Sequence, residues 1–531
     1  MSSHHDRATI YHASNVLLRT DNQGVSWTEV SPDLTRDDDE KQGPGGGPIT
    51  NEGAGGEIYG TIYYVAESPH DAGTIWTGSD DGLVHVTRDG GASWRNVTPP
   101  DVGEAMVNAI EVSPNDPAAA YIAVTKYKFN DFTPLAFKTD DYGASWTSIT
   151  EGIADEAWVR VIREDPKRRG LLYLGSETGL YVSFDDGAYW QSLQLNLPVV
   201  PITDLQVQTA MNDLVAATQG RAFWILDDLS PLQQAGETVT TALLVPRPAY
   251  RVEGGFSGDE ASLGKNPPPG AVVDFVLEDV DDETVVKLEI VDTSGAVIRS
   301  YASNAEEDSK RLETKKGMNR TTWDLRHETP KGVPDAYIFG ALRGRKVVPD
   351  TYRVRLSVGD DTHEQSLEVR ADPRVETPPS AFREQEGFLE RLEDEISEIH
   401  ASVTRIRDVR HQIERIVGRA ADVEGSDAVK QAGDALTSGL TEVEDALIQK
   451  RTVDGQTVIN FPSRLNHHFI YLRGAVDGSE VGLIDGAHER FDDLMARWNE
   501  ERAKLDELLG TELDAFNALV VEKRIPFVGT D

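Results

Sequence analysis

Three carboxylates are candidates for sugar-cleaving chemistry. Glu57 precedes an apolar run, Asp81 lies in the turn D-D-G (80–82), and Glu177 opens the turn E-T-G (177–179). Glycoside hydrolysis needs two carboxyl groups facing one bond, one giving a proton and one acting as base or nucleophile. Near them in the repeat pattern come Asp80, Lys126, Tyr127 and Arg221 from turns, and Tyr59, Asn108, Trp158 and Arg160 from links between units. Aromatic rings, carboxylates and a few cations of this kind stack a sugar ring or hold a peptide. A sialidase would also need an arginine cluster for a substrate carboxylate. Arg160 and Arg221 are two candidates, and no tyrosine–glutamate pair accompanies them. The plain alternative for each carboxylate is solvated surface charge. No cofactor or metal is expected. The pairs His4-His5 and His467-His468 lack ligand spacing. The acidic runs 37–40 and 278–283 do not match a calcium loop, and the glycine-rich stretch within 35–57 lacks G-K-[ST].

What must position these residues is a phrase written four times: T-D-N-Q-G-V-S-W (20–27), T-R-D-G-G-A-S-W (87–94), T-D-D-Y-G-A-S-W (139–146) and S-F-D-D-G-A-Y-W (183–190). Asp and Asn bond nearby backbone N–H groups in turns, and the following Gly takes angles other residues resist. Asn22, Asp89, Asp141 and Asp185 therefore read as turn-makers. The Trp starts the next strand and buries a large ring between sheets. Each phrase closes a longer unit of alternating strands, at about 57–100, 104–150 and 156–198, with only three strands in 9–34 and no phrase in 202–229.

The phrase is the Asp-box, or bacterial neuraminidase repeat, and the units resemble blades of sortilin-type and xyloglucanase-type β-propellers. They are similar to the bacterial and archaeal proteins labelled "glycosyl hydrolase" or sortilin-like. The resemblance covers about 1–240. It implies that Asp-boxes join third to fourth strands, and that ligands meet the opposite face, where the residues above collect. It also implies two catalytic aspartates, which find no residue-by-residue match here. Four and a half blades leave apolar sheet uncovered unless the ring closes, so the expectation is a complete or partial propeller, finished by a further segment or a partner chain.

Residues 241–375 carry short strands split by turns, and V-P-D-T-Y-R-V-R-L-S-V (348–358) resembles immunoglobulin-like modules; a β-sandwich is expected. Residues 376–531 read as helical, a bundle or hairpin. Ser380 is the expected N-cap, apolar residues recur at helical spacing from Phe388 to Ile416, further helices fall at 426–450 and 485–509, and 454–484 is an irregular connection. The expected fold class is thus mainly β, in three domains, 1–240, 241–375 and 376–531.

Composition narrows the partners. With 91 acidic and 52 basic residues, net charge −39, the chain is unsuited to nucleic acid or anionic membranes. This acidity looks like salt adaptation in a halophile, the alternative being an acidic mesophile protein. There are no cysteines, which excludes disulfides and thiolate chemistry. No apolar run spans a membrane and the first residues carry no signal core, so the expectation is a cytoplasmic protein, or an exported one if the N-terminus is truncated. Two function readings follow: a propeller binding peptide or glycan on one face, or a glycoside hydrolase with paired carboxylates.

Overall fold

The computed structural model describes residues 1–41, 59–236, 240–252, 264–281, 283–338, 342–421, 423–453 and 457–526. The chain divides into two compact units, 1–235 and 236–531.

The first unit is five antiparallel sheets in sequence, each a blade. Blade 1 has strands Ile10–Ala13, Leu17–Thr20 and Thr28–Glu29. Blade 2 has Ile62–Glu67, Ile75–Ser79, Val84–Thr87 and Arg95–Asn96. Blade 3 has Met106–Val112, Ala120–Lys126, Asp131–Thr139 and Thr147–Ser148. Blade 4 has Val159–Glu164, Leu172–Ser176, Leu180–Ser183 and Gln191–Ser192. Blade 5 stops at three, Ile202–Gln208, Asp213–Thr218 and Phe223–Leu226. The position left empty by the sequence reading of blade 1 is filled: Ser2 bridges Ile10, and Met1 and Tyr11 exchange backbone hydrogen bonds. A polar Met-Ser-Ser start gives no apolar alternation, so this edge was invisible to pattern.

The repeated phrase is a turn in all four copies. In blade 2 the Asp89 carboxylate accepts from the Thr87 hydroxyl at 2.8 Å, the Ser93 N–H at 2.9 Å and the Ser93 hydroxyl at 2.6 Å. Asp141 repeats the set with Thr139 and Ser145, and Asn22 and Asp185 take the same place. These bonds favour the ionised form and hold Asp89 and Asp141 at about 2. Inner strands pack in order around an axis, blade 1 on 2, 2 on 3, 3 on 4 and 4 on 5; among the described residues no comparable packing joins blade 5 to blade 1.

The second unit holds two sheets over one core. Strands Ala242–Leu243, Ala271–Leu277 and Gly317–Trp323 form one; Ala249–Arg251, Asp361–Ala371, Asp350–Val358, Val286–Val291 and Val297–Ala302 form the other. Val273, Phe275, Trp323, Leu288, Leu356 and Leu367 fill the space between. Helices follow at Pro379–Ala420, Asp427–Leu447, Leu465–Asp477, Ala487–Glu507 and Leu513–Glu522. Two expectations are corrected. Ser380 lies inside the first helix, which starts at Pro379 after Pro378, proline being well suited to a first turn. The stretch 454–484 contains the helix Leu465–Asp477, whose His and Asn residues obscured an apolar face of Leu465, Phe469, Ile470 and Val476. Ion pairs tie the connection between strands Gly317–Trp323 and Asp350–Val358 to the helical part, Arg326 to Asp477 at 2.6 Å, Lys346 to Glu480 at 2.9 Å and Arg345 to Glu393 at 2.7 Å, and Arg473 joins Glu393 from a second helix at 3.0 Å.

Candidate functional site

Two clusters on the first unit carry chemistry. The outer one grows from the irregular turn of blade 3. There K-Y-K-F-N-D-F-T-P replaces a tight turn, a short 3₁₀ turn runs Tyr127–Phe129, and Asn130 takes a left-handed backbone that restarts the strand. This projects two rings toward Trp158, on the link into blade 4. Tyr127 stacks on Trp158 with ring centres 5.9 Å apart and planes 18° from parallel; Phe132 lies 5.2 Å from it, tilted 36°. Beside them is a surface concavity of about 360 Å³ lined by Asn130, Asp131, Phe132, Thr133, Pro134, Asp155 and Glu156. Asp131 is held ionised, its carboxylate bonded by the Thr133 hydroxyl and N–H. Rings beside three carboxylates form a place for a hydroxyl-rich or cationic ligand.

The inner cluster lies on the first strands of four blades. Arg163 of blade 4 donates to the Tyr64 hydroxyl of blade 2 at 3.0 Å and to Asp204 of blade 5 at 2.7 Å, and pairs with Glu111 of blade 3 at 3.6 Å. Its Nε also donates to the Leu205 carbonyl at 2.8 Å. Burial pushes the Glu111 carboxyl up to about 7, against the pull of Arg163. Pattern reading missed all four residues. Each lies among other polar residues or apolar neighbours on the first strand of its blade, and the only signal was that polar positions recur there in successive blades.

The residues singled out from sequence fall as follows. Tyr127 and Trp158 meet in the aromatic cluster. Arg160 and Glu177 meet each other, with Nε to Oε2 at 2.6 Å. Asp80 accepts from the Gly60 and Thr61 N–H groups at 3.0 and 2.8 Å, and its burial raises its pKa. Asp81, buried, accepts from the Arg36 N–H at 2.7 Å and from the Ser79 hydroxyl. Tyr59 donates to Glu104, which also pairs with Lys41. Asn108 accepts from the Thr125 hydroxyl at 3.1 Å, and Lys126 opposes Asp131 across the strand pair. Arg221 is exposed on blade 5, its carbonyl accepting from the Trp224 indole. Glu57 lies outside the described residues. Among the described residues no group of three or more His, Cys, Asp or Glu residues is arranged to hold a metal, and no helix is long and apolar enough to cross a membrane.

No family model matches the chain, and no curated protein sequence matches it. Solved structures do. An ancestral GH74 enzyme aligns over 69% of this chain and 45% of its own, at 14% identity and TM-score 0.30. The GH74 xyloglucanase of Xanthomonas campestris aligns over 68% and 63%, at 13% identity and TM-score 0.33. YCF48 bound to D1 peptide aligns over 57% and 80%, at 16% identity and TM-score 0.26. The chain thus spans about half to two thirds of the GH74 chains it resembles.

Proposed function

We propose that the first unit is an Asp-box propeller, sortilin-like in type, that binds a glycan or peptide on the face bearing the blade 3 turn, without cleaving it. The observation that carries this is the Tyr127–Trp158–Phe132 platform beside an acid-rimmed concavity. Asp81 and Glu177 support a binding rather than a cleaving role, because each is already engaged, Asp81 by Arg36 and Ser79 and Glu177 by Arg160. Titration calorimetry with β-glucan oligosaccharides and with a basic peptide tests it. Binding to the intact chain is expected, weakened about fivefold or more in Trp158→Ala, since stacking on one ring is worth about 1 kcal/mol. Unchanged affinity in that variant overturns the reading.

A glycoside hydrolase is the second reading, favoured by one observation: Glu111, whose carboxyl burial raises to about 7, shares Arg163 with Asp204. A carboxyl raised by burial can give a proton, and a second carboxyl group beside it is what glycoside hydrolysis requires. Turnover of a polysaccharide, lost in Glu111→Gln, would replace the binding reading. We further propose that the paired sheets of the second unit are immunoglobulin-like and that the acidic surface reflects a salt-rich, haloarchaeal habitat.

A further inference from the structure

Blades 2 and 4 show what a blade's forward face requires. Val84 and Leu180 pair with Gly78 and Gly175 across the second and third strands, and Val86 and Val182 pair with Trp76 and Tyr173. All four valine and leucine side chains are at most 3% exposed. The next blade covers them: Val84 and Val86 share a core with Val107, Ile110 and Val112, and Leu180 and Val182 with Ile202, Leu205 and Val207. The same ladder positions in blade 5 are Phe223, opposite Ala217, and Ile225, opposite Val215. Phe223 is 76% exposed and Ile225 59%.

Among the described residues the rear face of blade 1 lacks the contact that each later blade makes. Each later phrase is latched to the blade before it. Trp94 donates its indole N–H to the Val30 carbonyl at 2.9 Å, Trp146 to Val97 at 2.7 Å, and Trp190 to Ile149 at 2.8 Å. The phrase glycine lies against the same residue, since a Cβ at Gly91, Gly143 or Gly187 would come within 3.0 Å of Val30, Val97 or Ile149. Trp27 is 42% exposed, and a Cβ at Gly24 would meet only the Trp27 ring.

We propose that these two faces are docking surfaces for another polypeptide built of the same blades, which enters between blade 5 and blade 1 and completes the ring. The latch sets its chemistry. Val30, Val97 and Ile149 each directly follow a fourth strand, so the partner must end a four-stranded blade with an apolar, β-branched residue whose carbonyl takes the Trp27 N–H. Its first strand must present Val or Ile, as Val107 and Ile202 do, to Phe223 and Ile225. A second copy of this chain does not supply the former, because blade 5 has three strands among the described residues.

The test places the photo-crosslinker p-benzoylphenylalanine at position 223, at position 27, and at the exposed control position Val297 on the second unit. Each full-length variant is illuminated in an extract of the source cells, and adducts are identified by mass spectrometry. The expected result is one protein captured from both 223 and 27, absent at 297, carrying S/T-x-D-x-G-x-x-W repeats. Adducts only with copies of this chain, adducts with proteins lacking the repeat, or none above the control level would each overturn the proposal.

Discussion

At the scale of the residue, the phrase separates a local role from a bridging one. Its Asp makes the turn, and its Trp joins neighbours. Trp190 is fully buried and its N–H is satisfied by Ile149, whereas Trp27 is half exposed. Trp190→Phe should therefore cost about 1–3 kcal/mol, measured as the shift of the first unit's urea midpoint, because it leaves a buried carbonyl unpaired. Trp27→Phe should change it by less than about 0.5 kcal/mol in the isolated chain, as surface substitutions do. Glu111 makes a second, pH-dependent prediction. Its native pKa is raised to about 7 from an ordinary 4.5. Below pH 4.5 both states are protonated. Above it the unfolded chain releases the proton first, so the native state binds more protons and stability falls as pH rises toward 7. The Glu111→Gln variant escapes that loss. Its stability relative to the parent should rise by on the order of 3 kcal/mol between pH 4.5 and pH 7.5 in urea titrations, and a flat difference would contradict the buried-acid assignment.

At the scale of the element, blades approach closely because a glycine faces the neighbour. A Cβ on Gly78 would stand 2.4 Å from Val107, and one on Gly175 2.7 Å from Ile202. Gly175→Val should cost about 1–3 kcal/mol by overpacking, whereas the same change at the open Gly332 should not; thermal unfolding compares them. The turns and strands of blades 2–4 were legible because Asp, Gly and Trp sit at fixed offsets and period-2 alternation surrounds them. The edge formed by Met1–Ser3 and the helix at Leu465–Asp477 were not, since neither shows its buried side in a short window. The candidate site was half legible. The aromatic residues Tyr127 and Trp158 stood out by type and place. The inner cluster did not, because Glu111, Arg163 and Asp204 lie far apart in sequence and only the ring brings them together.

At the scale of the whole molecule, a net charge of −39 sets a self-repulsion that salt relieves. Raising sodium chloride from about 0.1 M to about 1 M shortens the screening length from about 10 Å to about 3 Å. The unfolding temperature should rise across that range in calorimetry, and a fall would argue that surface ion pairs outweigh the repulsion.

Arg163 has one more consequence. Units that touch only their neighbours melt piecemeal, each with its own stability and a term for each junction. A guanidinium tied at once to Tyr64, Glu111 and Asp204 adds a link that skips neighbours, from blade 2 to blade 4, and draws blade 5 into the same knot. Opening any one of these blades breaks a bond owned by the others. The array should then lose its Ising-like character and unfold all-or-none, and native-state hydrogen exchange should show blades 2–5 sharing one opening free energy, which separates into several when Arg163 is replaced by methionine.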